Sequence, residues 1–552
     1  MPASPRISSG AGSRSPAMPE ALNRLVDDFL DHHRRFHPVD ASFMGLAGSD
    51  HLLPPSDRDA SAREAAALDA LIQRADVVTA GDTPGARIEA KMLRAALAHA
   101  RAALDRWPRY RQPNWYTGEV AFGVISLLLP SAPGSAAQAL PARLAAIPGF
   151  LAGAKAHLAG QPTPPDWSER AMKEVAALGR LFARGLPLHP LWQASWQPLV
   201  EAAGVALKAF VEGLAAMEEG SPACGRDYLA FLMREVHGLP WTPEEAVAFA
   251  EDAFARLGDE LAAEARRIDP SRSWQEQLSD LAAVHPSLDA VSATYRRWHE
   301  RALDGAGSLV TPAAGYGLDF RIHDAWAQPV IGDLYFLAYR SPPALAAGRG
   351  SVYWIPAPGA DAASYLRGQA AVTIKQTHAV HHGSIGHHTQ NARAREAPSR
   401  LARLAGTDCA SGIAFLSAGT MVEGWACYAT ELMAEVEGFY APAERLALIQ
   451  ADRRNAASVL ADIRLHTGAW SLEQMRTFYR DEAGFPAARV WGETTRNSLL
   501  PATRIMYFLG TEQIKALRTE IGGEPKPLFD ALLGHGHVPI AWAAEEIRRA
   551  RP

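Results

Sequence analysis

The sequence has few cysteines: Cys224, Cys409 and Cys427 are the only ones among 552 residues. Three scattered thiols cannot form a disulfide framework or a CxxC zinc site, and an odd number leaves at least one thiol free. The simpler interpretation is a reducing compartment. We therefore expect a cytoplasmic protein.

The sequence also lacks long apolar runs and an excess of basic residues. The longest apolar run, Val120–Pro130, is much shorter than the roughly 20 residues that cross a bilayer. Residues 1–20 are rich in Ser, Pro, Gly and Ala without the apolar stretch of a secretory signal, so we predict a disordered tail. A formal net charge of -5 opposes nucleic-acid binding. We expect neither membrane nor nucleic-acid partners, and the sequence carries no indication of oligomeric state.

The apolar residues recur with helical spacing. Leu22, Leu25 and Phe29 begin a pattern that returns along most of the chain, for example over Leu93–Leu104. The fold is therefore predicted to be mainly α. A strand-like pattern is confined to short pieces such as Ser351–Ile355 (SVYWI).

Segments rich in Pro and Gly punctuate this helical pattern. They predict turns between helices rather than long linkers. A boundary near Gly220 would divide an N-terminal helical lobe, residues 21–219, from a C-terminal helical lobe, residues 220–552, that contains the metal site. One continuous domain is the alternative.

A cluster of histidines is the most informative feature. Of 19 histidines, five lie in the segment THAVHHGSIGHHTQ, namely His378, His381, His382, His387 and His388. On a straight helix, positions 378, 381, 382, 385 and 388 would share one face. A break at Gly386 would turn His387 back toward His381. Converging imidazoles are typical of transition-metal sites, and a further ligand must come from elsewhere in the chain.

A second segment, Met421–Leu432, can supply that ligand. Glu423 lies among apolar and aromatic neighbours that predict burial, and a buried carboxylate needs an arginine, hydrogen bonds or a metal as its partner. The residue types alone support an ion pair with arginine and metal ligation equally. For Glu431, a solvated acid is the simpler interpretation.

These two segments resemble motifs of the bacterial domain-of-unknown-function family 885, whose members look like zinc peptidases of the gluzincin type. The family pattern HExxPGHxxQ corresponds to residues 381–390, HHGSIGHHTQ, and the pattern EGWAxYAxEL corresponds to residues 423–432, EGWACYATEL. The resemblance covers most of the chain after the tail. It implies a large helical body with a deep cleft, as in gluzincin-type metallopeptidases, and minor short β segments.

The resemblance also implies the ligands. His381, His387 and Glu423 would hold one divalent metal, with zinc expected first and iron or manganese as alternatives, and would leave a position open for water or substrate. Additional ligands, or groups that support the ligands, would come from the remaining candidates, His378, His388 and Glu431.

The sequence departs from the family pattern at the catalytic base. The glutamate after the first histidine would take a proton from metal-bound water, but His382 stands at that position. A neutral imidazole can still accept a proton near pH 7. We therefore expect a metal-dependent hydrolase that cleaves an amide or peptide-like bond of a small-molecule or short peptide-like substrate, with His382 as substitute base.

Two other functions fit the same residues. Two histidines and one carboxylate also suit non-haem iron, so a non-hydrolytic metalloenzyme on iron or manganese, such as an oxygenase, lyase or isomerase, is one alternative. A catalytically inactive relative that only binds a ligand is the other. The identity of the bound metal, or its absence, separates them.

Four further residues complete the predicted site. Tyr507 and His466 are candidate hydrogen-bond donors to an oxyanion. Arg496 is a candidate for bidentate binding of a substrate carboxylate. Tyr353 is a candidate for the substrate-binding wall. Each residue also has a purely structural interpretation. Tyr507 would be a core residue with a hydrogen-bonded hydroxyl, and His466 would cap a helix end. Arg496 would form an ion pair with Glu493, and Tyr353 would pack against its neighbours.

Overall fold

The chain is mainly helical, as the hydrophobic spacing predicts. A computed structural model describes residues 18–214, 217–334, 338–345, 348, 350–404 and 418–551. Most of the predicted tail, residues 1–17, lies outside the described residues. No helix in the described part of the chain is both long and apolar enough to cross a bilayer.

The N-terminal part consists of helices joined by short turns. They are α1 (Glu20–Phe36), α2 (Pro38–Met44), α3 (Ala60–Val77), α4 (Pro84–Arg106), α5 (Pro113–Ile125), α6 (Ala136–Leu158), α7 (Pro165–Arg180), α8 (Gln197–Leu214) and α9 (Arg226–Phe231).

The middle part combines helices with short strands. Its helices are α10 (Pro243–Ile268), α11 (Trp274–Ala283), α12 (Val291–Gly305), α13 (Ala362–Arg367), α14 (Ala371–Thr373), α15 (Thr389–Ala394) and α16 (Arg400–Leu404). Between α14 and α15 the chain winds as the π-helical segments Ile374–His382 and Ser384–His388.

The C-terminal part is helical again. Its helices are α17 (Gly419–Leu432), α18 (Pro442–His466), α19 (Leu472–Asp481), α20 (Ala487–Leu499), α21 (Ile505–Ile521), α22 (Pro525–Gly534) and α23 (Ile540–Arg549).

A small sheet lies next to the histidine segment. Its strands are β1 (Leu318–Ile322), β2 (Tyr339–Arg340) and β3 (Ser351–Ile355), in the spatial order β1-β3-β2. β3 pairs in parallel with β1 and antiparallel with β2, and it coincides with the predicted strand SVYWI. The central strand carries Tyr353, which is 1% exposed.

The hydrophobic core crosses the predicted lobe boundary. The largest cluster of buried apolar side chains contains residues from Leu22 to Ala544. Ion pairs between Lys91 and Glu545, and between Arg87 and Glu546, also join α4 to α23. The division into two lobes stays a prediction, and this shared core favours the alternative of one continuous domain.

A buried carboxylate in α5 makes stability depend on pH. Glu119 is 2% exposed, and burial, followed by the nearby Asp40, raises its pKa to about 8. The folded chain therefore keeps a proton that the unfolded chain loses above about pH 4.5, so the free energy of unfolding falls as pH rises through this window. We expect Glu119→Gln to raise the melting temperature relative to the unmodified protein at pH 8, and the gain to shrink toward pH 5. A gain independent of pH in calorimetric scans would contradict this assignment.

Candidate metal centre

The histidine segment leaves regular helical geometry at two glycines. Gly383 has φ -93° and ψ -149°, and Gly386 has φ -76° and ψ -128°. The predicted break at Gly386 is present. The common face of a straight helix therefore ends before His388, and His387 turns back toward His381, their ring centroids lying 4.9 Å apart.

Close packing makes glycine necessary at this break. A Cβ atom at Gly386 would lie 2.0 Å from the carbonyl oxygen of His381, far inside van der Waals contact. The preceding carbonyl, that of Ile385, accepts a hydrogen bond of 2.8 Å from the indole of Trp425 in α17. The bend is thus tied directly to the helix that carries Glu423.

α17 is held close by its contact with α21. A Cβ atom at Gly424 would lie 2.6 Å from the backbone of Gly510. The two helices can therefore pack this closely only because these positions are glycines. The carbonyl of Gly424 also accepts a hydrogen bond of 3.1 Å from the hydroxyl of Thr511. This packing fixes Glu423 opposite the histidine segment.

His381, His387 and Glu423 converge with the spacing of metal ligands. Glu423 Oε2 lies 3.6 Å from His381 Nε2 and 3.7 Å from His387 Nε2, and the potential ligand atoms all lie within 4.8 Å of one another. These separations exceed a good N–H···O hydrogen bond. Ligands at 2.0–2.2 Å around a tetrahedral ion lie roughly 3.3–3.6 Å apart, so the two distances from Glu423 are close to those in a zinc site.

The charge states of these groups also suit a cation. Burial lowers the pKa of His387 to about 4, despite the opposing effect of Glu423. Burial by itself raises the pKa of Glu423, but contact with His381 and the charges of His387, His381 and Arg496 bring it to about 2. At neutral pH the site therefore contains a neutral His387 and an ionised carboxylate, the protonation states that metal binding requires.

Two residues outside the predicted site, Gln390 and Cys427, contact the candidate histidine ligands. Gln390 donates from Nε2 to the carbonyl of Met421 at 2.7 Å, so its Oε1 faces His387 Nδ1 at 3.2 Å and holds the proton there. The Nε2 lone pair then points to Glu423. Cys427 Sγ lies 3.9 Å from His381 Nδ1. Gln390 could have been found because it closes the motif HExxPGHxxQ, whereas Cys427 occupies a variable position in the second motif.

His382 lies in the cavity wall beside the ligands. Its ring stacks on that of His387 with centroids 5.9 Å apart, and its Nδ1 lies 3.3 Å from the hydroxyl of Tyr353. The same hydroxyl forms a very short contact with Nδ1 of His378. Tyr353 and His378 are not among the described residues that line the cavity. Tyr353 therefore contacts His378 and His382 and does not lie in the substrate-binding wall, where we predicted it.

His388 and Glu431 lie outside the ligand group. His388 is fully buried, with its ring 5.5 Å from that of His299 and 5.6 Å from that of Tyr316. Glu431 forms an ion pair of 2.7 Å with Lys515 of α21. Additional ligation by either residue is a prediction that this arrangement does not favour.

His466 is packed in the core. It is fully buried, its Nε2 lies 2.9 Å from the carbonyl oxygen of Asn497, and its ring meets the edge of Trp107 at 5.9 Å. His466 is not one of the described residues that line the cavity. Its predicted role as an oxyanion donor has no geometric support.

Tyr507 and Arg496 do lie with the ligands in the wall of an open cavity of about 500 Å³. Burial, followed by the charge of Glu423, raises the pKa of Tyr507, so its hydroxyl stays protonated and can donate. The guanidinium of Arg496 is close enough to help lower the pKa of Glu423. These two predicted residues therefore share the cavity with the candidate ligands.

The fold and the site together define a mainly helical protein with a histidine–histidine–glutamate group in an open cavity. The sequence matches the family described as "Bacterial protein of unknown function (DUF885)" over residues 38–547, and the chain belongs to this family. A comparison with curated proteins finds no significant match.

Two solved structures share the fold. One is described as a "putative lipoprotein of unknown function" from Shewanella oneidensis, with a TM-score of 0.76 and 17% identity, and the match covers 97% of this chain and 100% of that chain. The other is described as a "putative lipoprotein" from Colwellia psychrerythraea, with a TM-score of 0.74 and 15% identity over 96% of this chain and 99% of that chain. At these identities the likeness shows the fold alone.

Proposed function

We propose that this protein is a metal-dependent hydrolase that cleaves an amide or peptide-like bond of a small substrate in the cavity. The observation that carries the proposal is the spacing of Glu423 Oε2, at 3.6 Å and 3.7 Å from the Nε2 atoms of His381 and His387. Two imidazoles and one carboxylate form a site with room for a further ligand. The proposed cofactor is one divalent metal ion, with zinc as the first candidate.

A divalent ion at this site would polarise the scissile carbonyl and activate a water molecule. The chain's own residues would handle the proton and the developing charge. His382 lines the cavity beside both histidine ligands and is the candidate acceptor of the proton. Tyr507 keeps its hydroxyl proton and is the candidate donor to the oxyanion.

One observation favours a second candidate, a non-hydrolytic enzyme that uses iron or manganese. Burial, together with the neighbouring His381, His387 and His378, lowers the pKa of His382 well below its ordinary value. A general base works best with a pKa near the working pH, so His382 is a weak base here. The same ligands accept iron.

Substitution of His382 tests the hydrolytic proposal. His382→Glu restores the carboxylate of the family pattern, and we expect it to raise hydrolysis of simple peptides and amides by tenfold or more. His382→Gln is the matched control because it has similar size and cannot accept the proton; since His382 is a weak base, we expect it to lower hydrolysis by up to about 100-fold. The measurement is the initial rate with zinc-loaded protein.

The non-hydrolytic candidate predicts no amide hydrolysis by either the unmodified protein or His382→Glu. If neither the unmodified protein nor His382→Glu hydrolyses any amide, and turnover instead requires oxygen with iron or manganese, hydrolysis is excluded. Binding of ligands without turnover under both conditions would leave the catalytically inactive relative.

The cytoplasmic location is part of the proposal and is opposed by one comparison. Few cysteines favour a reducing compartment. The two solved structures compared above, however, are described as putative lipoproteins. Fractionation of cells that express the native gene distinguishes the two: recovery with the membranes, released only by detergent, would contradict the cytoplasmic assignment.

A further inference from the structure

The cavity wall carries far more positive than negative charge. Among the described residues that line it, the carboxylates are Glu423, Asp452 and Glu493, and the arginines are Arg340, Arg395, Arg403, Arg454, Arg489, Arg496 and Arg504. Arginine stays ionised in proteins. The wall therefore has an excess of cationic side chains, although the whole chain has a net charge of -5.

The three carboxylates do not balance this charge. Glu423 faces His381 and His387, and it belongs to the candidate metal centre. Burial, followed by the nearby Glu431, raises the pKa of Asp452 well above its ordinary value, which favours its neutral form. Glu493 is the remaining acid.

Glu493 is shared between two arginines. One oxygen accepts a hydrogen bond of 2.6 Å from Arg489, and the other is bound by Arg504. Although burial alone would raise the pKa of Glu493, these two guanidiniums lower it. One carboxylate thus serves two cations, and Arg489, whose side chain is 67% exposed, retains donors that face solvent.

Arg454 has no carboxylate partner among the described residues. It extends from α18, donates from Nη2 to the carbonyl of Gly484, and lies over the ring of Phe485. Among the described residues, its buried Nε has no hydrogen-bond partner and no carboxylate forms an ion pair with it. Burial, followed by the charge of Arg489, lowers the pKa of Arg454 to about 10. A half-buried cation that has no carboxylate partner among the described residues, and that lies close to a second cation, is stabilised by an anion.

We propose that Arg454 and Arg489 form a subsite for an oxyanion group, a carboxylate or a phosphate, carried by the substrate. This inference rests on the proposed function, because it names the class of molecule whose reacting bond would lie at the metal centre. The oxyanion is fixed at the arginines, and the neutral bond to be cleaved lies elsewhere in the same cavity. Substrates are therefore small acids rather than neutral or cationic peptides.

Binding of small anions tests the subsite without any assay of turnover. The probes are succinate and inorganic phosphate at millimolar concentration, with succinamide as the neutral analogue of succinate. Titration calorimetry of the full chain should show binding of at least one anion and none of succinamide. The anion that binds with the higher affinity identifies the group as carboxylate or phosphate.

Variants locate the bound anion. Arg454→Met keeps an apolar stem and removes the charge, so we expect affinity to fall tenfold or more, and Arg489→Met should weaken binding in the same direction. Arg256→Met is the matched control: it makes the same change in net charge on α10, where the side chain is 57% exposed, and should leave affinity within twofold. Thermal melts establish that each variant is folded.

His381→Ala separates this inference from the proposed function. Anion binding that survives in His381→Ala and fails in Arg454→Met supports the subsite, whether or not the protein hydrolyses amides. Binding that fails in His381→Ala and survives in Arg454→Met would place the anion on the metal and overturn the inference. Absence of binding by both anions, or equal binding of succinamide, would overturn it as well.

Discussion

Glu423→Gln is expected to abolish stoichiometric metal binding. The substitution keeps the size of the side chain but replaces the ionised oxygen of the proposed ligand with a neutral amide, opposite His381 and His387. Loss of a residue that merely supports a ligand weakens metal binding by about 10–100-fold, so loss of a ligand should weaken it by more than about 100-fold. The measurement is the affinity for zinc in a competition titration, together with the metal content of the purified variant.

The same helix provides a matched control. Glu431 lies two turns beyond Glu423 in α17 and forms an ion pair with Lys515 rather than facing the histidines. Glu431→Gln makes the same chemical change and should leave zinc affinity within a few-fold. Equal metal content in the two variants would show that Glu423 is not a ligand.

Gly386→Ala should remove the metal by a different route, through the backbone. An added Cβ would lie 2.0 Å from the carbonyl of His381 and 2.4 Å from that of Val380, so the bend that turns His387 toward His381 cannot persist. We expect the free energy of unfolding to fall by about 1–3 kcal/mol, as in other overpacked sites. Metal affinity should fall with it, because His387 leaves its position. Chemical denaturation and zinc titration measure the two effects.

Gly492→Ala is the control for this substitution. Gly492 lies within α20, and nothing stands within 4 Å of a Cβ atom added there. Alanine is the better helix former, so the free energy of unfolding should rise by up to about 1 kcal/mol with metal binding unchanged. A folded Gly386→Ala variant with full zinc affinity would mean that the bend does not position His387.

Local sequence patterns predicted much of the fold. Helical spacing of apolar residues indicated a mainly α chain, and the predicted strand Ser351–Ile355 is β3. The capping boxes that start α10 at Thr242 and α19 at Ser471 are local features of the same kind. These features depend on neighbours a few residues apart, which the sequence displays directly.

The parts of the site that depend on distant contacts were less accessible. Gly386 revealed the break because glycine disfavours a regular helix. His388 and His466 share residue type with the candidate ligands, yet their rings pack against Tyr316 and Trp107. Only the tertiary fold decides which histidines face Glu423. The arginine-rich wall, likewise, gathers residues from 340 to 504 that no local pattern connects.

The metal content of the purified protein tests the central claim most directly. Elemental analysis of the full chain, with His381→Ala prepared in parallel, should find about one zinc ion per chain in the unmodified protein and none in the variant. Iron or manganese at the same ratio would keep the site and favour the non-hydrolytic candidate. No stoichiometric metal in the unmodified protein, even after incubation with zinc, iron(II) or manganese(II), would contradict the account.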